Sequence, residues 1–330
     1  MTDKFPLFKL PYVALHEVLN HVGPEAALPL SLCSERSKLL LKHCQGPRKD
    51  IKIVLKAWEN VLKVNDNSSI SVAVVSKLPM NLETVNIGSH VVPVQMEGNV
   101  LKSYWMNGKE GLKEIVKLTS DVFSRDLYSI SCVIDDARYW LEWIKSIQGK
   151  LPRLVLSTTK ANDGLLMYIL KSDIVTGDLI LHSRCSPRFR GPSPRPFSMD
   201  YLYLSQSNWV TLNHLLAMDI KRIILHNSPL TCQEINTFLK KWINGECSKR
   251  IKVVYVGKKE VNYDELMEGI EVIRRDPNLK REYASNLGVG QIFGGLDFKR
   301  TEDGAMATVI STFGGFKIMF WPDYKGNPYH

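Results

Sequence analysis

The first regular pattern of apolar positions lies near the start of the chain. Four apolar residues in PYVALHEVLNHV are spaced as on one face of an α-helix: Leu15, Val18, Leu19 and Val22. Pro11 suits the first helical position, because the N–H that proline lacks has no partner there. A further helix is predicted in SERSKLLLKHC. Residues 5–44 are therefore predicted to form a short all-helical module, with Gly46-Pro47 as its linker.

The pattern changes from helical to β beyond this linker. The runs IKIVL and SISVAVV are short and rich in β-branched residues, which is typical of strands. The run SHVVPVQM is a weaker strand, because Pro93 lacks the N–H that a central strand would use. Residues 47–108 are therefore predicted to be mainly β.

Helical and β patterns alternate over residues 109–260. Several runs fit L-x-x-L-x-L when Ile, Val and Cys stand for Leu: LYSISC, LPRLVL, IKRIIL and IKVVYV. Leucine-rich repeats carry such a strand motif, with a helix after each strand. The asparagine that usually follows the motif is absent, so an irregular leucine-rich-repeat-like parallel arrangement is predicted. An ordinary α/β sheet remains the alternative.

The clearest helix signal is LTCQEINTFLKKW. Thr231 and Glu234 form a capping box, in which each side chain can satisfy the other residue's backbone N–H. The apolar residues that follow share one helical face: Ile235, Phe238, Leu239 and Trp242. The segment is therefore predicted to be an amphipathic helix that packs on the core.

The last segment, residues 261–330, is predicted to form a helix and then a β tail. Glu302-Asp303-Gly304 is a hairpin signal between two strands, and FKIMFW reads as a third strand. The stretch at 184–198, RCSPRFRGPSPRPFS, predicts an exposed loop, because proline at this density cannot continue a helix or a central strand. Its arginines leave a second interpretation open, the binding of an acidic or phosphorylated partner.

The composition is compatible with a folded core, and the charged residues are not clustered along the chain. The chain has 330 residues, of which 44% are hydrophobic, enough for one large or two modest domains. The net charge is +9, but Lys and Arg are spread along the chain, which argues against a nucleic-acid interface. No apolar run approaches the roughly 20 residues of a membrane span. The cysteines are scattered single residues, typical of a reducing compartment, so we expect a cytoplasmic or nuclear protein.

The sequence shows no catalytic constellation. It contains no G-x-S-x-G, no Walker loop and no H-E-x-x-H. Asp135 and Asp136 resemble paired carboxylates, but at a predicted helix start they are better explained as an N-cap and a dipole-favoured acid. We therefore expect a protein that is not an enzyme and that has no catalytic residue, cofactor or metal site.

The N-terminal stretch FPLFKLPYVALHEVLNHVGPEAALPLSLCSERSKLLLKH resembles an F-box. That family begins with Leu-Pro, continues with an amphipathic helix, and then has a Leu/Ser/Cys-rich turn and a last helix. The residues at the matching places are Leu10-Pro11, Val18-Leu19 and Leu32-Cys33-Ser34.

The remainder is similar to the type 2 F-box-associated domain. The matching stretches are WVTLNHLLAMDIKRIILHNSPLTCQEINTFLKKWINGECSKRIKVVYV and the tail GGLDFKRTEDGAMATVISTFGGFKIMFW. The resemblances imply an F-box over 1–46 and an F-box-associated domain over 47–330. The predicted fold class is therefore α+β or α/β, with a small N-terminal helical F-box followed by a β-flanked, irregular leucine-rich-repeat-like α/β domain.

The resemblance also implies a function, since F-box proteins are substrate receptors of SCF-type cullin–RING ubiquitin ligases. It implies a non-catalytic adaptor that docks on the small Skp adaptor, and through it on cullin, and presents an unknown protein for ubiquitination. A helical module this small cannot bury its own apolar face, so we expect an apolar interface with the Skp adaptor. Its predicted residues are Leu10, Pro11, Leu15, Val18, Leu19 and Leu32. The alternative is a leucine-rich-repeat-like protein-binding module that acts outside a ligase.

Overall fold

The chain forms two compact units, residues 1–133 and residues 134–330. The computed structural model describes residues 7–45, 50–65, 68–158, 160–195, 197–285 and 288–321. The predicted linker Gly46-Pro47 lies outside the described residues.

The first unit combines helices with a mixed sheet. A short 3-10 helix, Leu7–Lys9, precedes the helices α1 (Tyr12–His21), α2 (Pro24–Leu32) and α3 (Glu35–Gln45). The elements that follow are β1 (Ile53–Lys56), β2 (Val61–Val64), β3 (Ser68–Val74), β4 (Glu83–Ile87), β5 (His90–Glu97), β6 (Val100–Trp105), α4 (Gly108–Phe123) and β7 (Leu127–Val133). The strand order is β7-β1-β2-β3-β6-β5-β4. The β1–β7 and β3–β6 pairs are parallel, and the other pairs are antiparallel.

The helix α4 shows why this unit folds as it does. Asn107 caps the helix, because its side chain accepts hydrogen bonds from the backbone N–H groups of Lys109 and Glu110. The apolar face that follows is buried and includes Leu112, Ile115, Val116, Val122 and Phe123. The helix contacts β1, β2 and β3, so its buried face packs against the sheet of the first unit.

The helices α1 and α3 contact each other. The Gln45 side-chain amide donates to the carbonyl oxygens of Leu19 and Val22, over 2.7 Å and 2.9 Å. The ring centroids of His16 on α1 and His43 on α3 lie 6.3 Å apart. These contacts join the C-terminal part of α3 to α1.

The second unit begins with helix–strand alternation. Its elements are α5 (Ile134–Ile147), β8 (Leu151–Ser157), α6 (Asp163–Lys171), β9 (Val175–His182), β10 (Phe197–Leu204), α7 (Leu212–Ala217), β11 (Met218–Leu225), α8 (Cys232–Ile243), β12 (Val253–Gly257), α9 (Tyr263–Leu266), β13 (Ile273–Ser285), β14 (Gly288–Lys299), β15 (Met306–Thr312) and β16 (Gly315–Phe320). The strands β8 to β12 pair in parallel in chain order. The strands β16, β15, β14 and β13 then extend the sheet beyond β12 as antiparallel neighbours.

The core of the second unit lies on one face of its parallel strands. The apolar residues at alternate positions are fully buried: Leu154, Leu156, Leu179, Leu181, Leu202, Leu204, Ile223, Leu225, Val254 and Val256. The buried faces of α5 and α8 supply further core residues, including Trp140 and Trp242. Successive strand residues point to opposite faces, so the intervening positions form the other face of the sheet.

The predicted helix at 231–242 is confirmed. The Thr231 hydroxyl oxygen accepts from the Glu234 backbone N–H over 3.1 Å, and Glu234 Oε2 accepts from the Thr231 backbone N–H over 2.8 Å. All the predicted face residues are buried: Ile235, Phe238, Leu239 and Trp242. The local cap and the apolar spacing therefore suffice to locate α8.

Substitution of the cap residue gives a first prediction. Thr231→Ala should lower the free energy of unfolding by about 1 kcal/mol, because the Glu234 N–H loses its acceptor at the helix start. Urea titration followed by circular dichroism measures this change. An unchanged unfolding midpoint would mean that the capping box contributes nothing to stability.

The predicted fold class is wrong. Within the described residues the protein has sixteen strands and nine α-helices, and strands outnumber helices in both units. A leucine-rich-repeat-like domain requires a helix after each strand, but β9 and β10 follow each other without one, and β13 to β16 form an antiparallel run. A separate N-terminal helical F-box is not apparent, because α2 and α3 contact α4 within the first unit. The L-x-x-L-x-L pattern indicates a buried strand, and buried strands occur in many kinds of sheet besides leucine-rich repeats.

Candidate functional site

The predicted adaptor-binding residues fall into three burial classes. Leu15 and Leu19 are buried in the first unit, and Leu19 is completely inaccessible. Leu10 and Leu32 are half-buried. Pro11 and Val18 are exposed. The interface itself stays a prediction, but burial separates side chains that can touch a partner from those that hold α1 in place.

Three exposed apolar residues of the same helices were missed at the sequence level. Tyr12, Val13 and Leu39 expose 59%, 79% and 62% of their surface. Tyr12 and Leu39 each lie one turn before His16 and His43, whose ring centroids are 6.3 Å apart. These three residues form what we call the N-terminal apolar surface. Their apolar character outside the predicted stripe was the signal that could have revealed them.

The second unit leaves one face of its parallel strands half-exposed. Register aligns Arg153, Asp178, Tyr201 and Arg222 in one row across β8 to β11. Tyr203 and Tyr255 lie in the next row, with Lys317 opposite Tyr255 on β16. We call this the open strand face, formed by Arg153, Asp178, His182, Tyr201, Tyr203, Arg222, His226, Tyr255 and Lys317. His182 is exposed and the others are half-buried, in contrast to the sealed apolar face behind them.

Aromatic rings continue across four strands of the open strand face. The centroid of His182 lies 4.8 Å from that of Tyr203, and Tyr203 lies 5.3 Å from His226. The ring of His226 in turn lies 4.9 Å from Tyr255. Burial, and then the nearby His182, lower the pKa of His226, so this ring is neutral at pH 7. The row is therefore a continuous, mostly uncharged aromatic surface.

Charged side chains lie beside this aromatic row. Arg153 Nη1 lies 3.9 Å from Asp178 Oδ2, a distant ion pair. The guanidinium carbon of Arg222 lies 4.0 Å from the ring centroid of Tyr201, within the range of a cation–π interaction. Burial is the main cause that raises the pKa of Tyr201. The face thus combines aromatic rings with a positioned arginine, two features enriched in protein-binding surfaces.

These face residues occupy the variable positions of the strand motif. Arg222 lies within IKRIIL, and Tyr255 lies within IKVVYV. The prediction concentrated on the apolar positions, which are buried. The recurrence of Tyr, His and Arg at the intervening positions of successive strands was the signal for the open strand face.

The predicted exposed loop at 184–198, which we call the Arg/Pro loop, is anchored to its surroundings by several contacts. Arg184, Arg188, Arg190 and Arg195 are exposed, as expected. However, Phe189 is buried edge-to-face against Trp209, with 5.8 Å between the ring centroids. His214 Nε2 also donates to the Pro192 carbonyl oxygen over 2.7 Å, and the Ser186 hydroxyl donates to the Asp163 carboxylate. The loop is therefore anchored, and its arginines are held at the surface.

Asp135, one of the two adjacent acids noted in the sequence, has a hydrogen-bond partner in the structure. Asp135 Oδ1 accepts a hydrogen bond from Asn162 Nδ2 over 2.9 Å, which links α5 to the start of α6. In the part of the chain that the structure describes, no cluster of three or more His, Cys, Asp or Glu side chains is arranged to hold a metal ion. Over the same residues, no helix combines the length and apolar character needed to cross a membrane.

Two relatives from Caenorhabditis elegans align with most of this chain. It is 22% identical over 308 residues to the E3 ubiquitin-protein ligase hecw-1, an alignment that covers 82% of this chain and 24% of the relative. It is 24% identical over 262 residues to the Skn-1 dependent zygotic transcript 15 protein, covering 72% of this chain and 75% of that protein. The chain thus spans about a quarter of the length of the first relative. No solved structure matches the chain.

A family comparison assigns one segment of the second unit. The matched segment runs from residue 195 to residue 256 and includes β10, β11, α8 and most of β12. It carries Tyr201, Tyr203, Arg222, His226 and Tyr255 of the open strand face. The N-terminal helices lie outside the match. Residues 195–256 are thus a segment that matches the F-box associated family.

Proposed function

We propose that this protein is a non-catalytic substrate receptor of an SCF-type cullin–RING ubiquitin ligase. The observation that carries the proposal is the F-box associated match at 195–256, which coincides with the centre of the open strand face. In the proposed assembly, this face holds the protein to be ubiquitinated. One relative is an E3 ubiquitin-protein ligase, which supports a role in ubiquitination, although this chain spans only 24% of that relative.

We further propose that the N-terminal helices dock on the Skp adaptor and, through it, on cullin. The N-terminal apolar surface supports this, because Tyr12, Val13 and Leu39 are exposed large apolar residues on adjacent helices. Pro11 directly precedes Tyr12 in the chain, Val18 is an exposed residue of α1, and Leu10 and Leu32 are half-buried. Leu15 and Leu19 would support docking indirectly, because their buried side chains hold α1 in place within the first unit.

The chain's own chemistry in this proposal is binding alone. The ligase's catalytic subunits would transfer ubiquitin, so the receptor needs no nucleophile, cofactor or metal. The proposed location is the cytoplasm, the nucleus or both, and the six free cysteines support a reducing compartment.

The docking surface can be tested with a charge. Val13→Asp combined with Leu39→Asp should weaken Skp-adaptor binding by at least about tenfold, because an unpartnered charge in an apolar interface is costly. Co-purification of the adaptor from co-expressing cells measures the loss. Leu19→Asp is unsuitable, because it places a charge in the core of the first unit and confounds docking with unfolding.

A matched control is Val91→Asp, which alters a similarly exposed valine on β5 away from α1 and α3. It should leave adaptor capture unchanged. Full capture by the folded Val13→Asp/Leu39→Asp variant would exclude docking at this surface. Failure of the unaltered protein to capture the adaptor would favour the alternative, a protein-binding module outside any ligase.

A further inference from the structure

We propose that the open strand face selects a partner segment that carries an anionic side chain, a carboxylate or a phosphorylated serine, with Arg222 as the residue that binds the anion. This inference rests on the proposed function, because it names the class of protein segment that the receptor would hold. It depends on the geometry around Arg222, on the sign of the charge on the face and on the neighbouring aromatic rings.

Arg222 has a defined position, and the described part of the chain offers its guanidinium no hydrogen-bond acceptor. Its guanidinium lies over the Tyr201 ring at 4.0 Å, which restricts its orientation. The Nε atom is buried and makes no hydrogen bond within the described residues. The two Nη atoms of Arg222 donate no hydrogen bond to another described residue, so a carboxylate or phosphate oxygen can accept from them. The planar guanidinium can then bind such a group through two parallel hydrogen bonds.

The charge on the face favours an anion. Its charged side chains are Arg153, Arg222, Lys317 and Asp178. Asp178 is the one carboxylate among the residues that define the face, and it already faces Arg153. Lys317 has no ion-pair partner among the described residues and lies opposite Tyr255 in the β12–β16 register. An anionic segment would therefore meet an excess of positive charge.

The Arg/Pro loop extends the same sign beyond the end of β9. Arg184, Arg188 and Arg190 are exposed, and Arg190 donates to the Pro187 carbonyl oxygen over 3.0 Å within its own loop. The buried Phe189 fixes this loop to the second unit through Trp209. A segment that follows the strand ends would thus pass from Arg222 toward further cations.

The aromatic row adds contact area next to the anion site. Tyr203, His226 and Tyr255 are half-buried rings in contact with one another, so little side-chain freedom remains to be lost on binding. Tyrosine and arginine dominate the residues that carry most of the binding energy in protein interfaces. We therefore infer that the selected segment carries apolar or aromatic residues beside its anionic side chain.

The test uses the full chain, whose folding is first verified by circular dichroism and which is then immobilised. The probes are pools of short fluorescent peptides with degenerate flanks and a fixed central residue, which is glutamate, phosphoserine, glutamine or lysine. The glutamate or phosphoserine pool should bind about tenfold more tightly than the glutamine pool, as a charge-assisted hydrogen bond predicts. Comparison of these two anionic pools identifies the source of the anion.

Variants of Arg222 assign the selectivity to this site. Arg222→Gln should remove the preference for the anionic pools. Arg222→Lys, which keeps the charge but loses the planar donor arrangement, should give intermediate binding. The matched control is Arg138→Gln, because Arg138 also lies over a tyrosine, Tyr168, at 4.8 Å but belongs to α5. It removes one equivalent charge and should leave the preference intact.

The outcomes separate this inference from the proposed function. Equal binding of all pools, an unchanged preference in Arg222→Gln, or an equal loss in Arg138→Gln would overturn the inference. Adaptor capture, measured on the same preparations, should be unaffected by Arg222→Gln. If the unaltered protein does not capture the adaptor but still prefers the anionic peptides, the ligase role is refuted. The anion-binding site at Arg222 is then still supported.

Discussion

Replacement of Trp242 by alanine should lower the free energy of unfolding by about 3–5 kcal/mol. The side chain is only 2% exposed and lies in the core of the second unit. Its ring centroid is 5.7 Å from that of Phe298 and 4.8 Å from that of Phe320, so the indole joins α8 to β14 and β16. Alanine would remove these contacts and leave a cavity that the surrounding strands can close only in part.

The loss at Trp242 is best measured by urea unfolding with Thr231→Ala as the reference on the same helix. The cap variant should lose about 1 kcal/mol, a fraction of the tryptophan's effect. Both variants retain the rest of α8, so the difference reports the packing of its buried face. Equal losses in the two variants would contradict the placement of Trp242 in the core.

Asp297→Ala should also lower the free energy of unfolding by about 3–5 kcal/mol, because it breaks a buried ion pair rather than a packing contact. Asp297 is completely buried, and its carboxylate accepts hydrogen bonds from Arg281 over 3.0 Å and from the Thr308 hydroxyl over 2.6 Å. Arg275 donates to the same carboxylate. Removal of the carboxylate would leave the guanidinium of Arg281, itself 6% exposed, without its buried counter-charge.

The comparison for Asp297 is an exposed carboxylate of the same unit. Glu302 pairs with Lys249 Nζ at 2.9 Å, and both side chains are 56% exposed. Glu302→Ala should change the free energy of unfolding by less than about 1 kcal/mol, because solvent screens that pair. Chemical denaturation of both variants at one salt concentration gives the contrast. A loss at Asp297 as small as that at Glu302 would show that the buried network is not needed for stability.

The local elements could be predicted where their signals lie within a few residues of one another. The capping box of Thr231 and Glu234 located the start of α8, and the spacing of Phe238 and Trp242 identified its buried face. The helix at α1 was predicted in the same way from Leu15 and Leu19. Caps and apolar periodicity act along one helix, so a single sequence contains them in full.

The fold class could not be predicted from the same kind of signal. The motif L-x-x-L-x-L correctly marks buried strand positions such as Leu154 and Ile223, but it does not encode which strands pair. Pairing depends on long-range backbone hydrogen bonds, for example those that place β16 next to β12. The sequence predicted the hairpin of β14 and β15 and the strand β16, but it did not show that they extend the parallel sheet beyond β12.

The candidate surfaces were only partly accessible to prediction. The residues proposed for adaptor binding were chosen from one helix face and its flanks, but Leu19 on that face is completely buried in the folded unit. The open strand face combines residues of separate strands, such as Tyr203, His226 and Tyr255. Their side chains meet because the strands pair in register, a relation that no local pattern contains.

The sequence alone therefore determined the positions of the main helices and the burial of the strand motif, since both follow from the spacing of neighbouring residues. The tertiary structure decided the order of the strands, the division of α1 into buried and exposed apolar residues, and the assembly of the open strand face. Each of these depends on contacts between residues far apart in the chain, such as Arg222 with Tyr201 across two paired strands. Their energies appear only once the chain has folded, because a side chain's burial and charge environment are set by the elements packed around it.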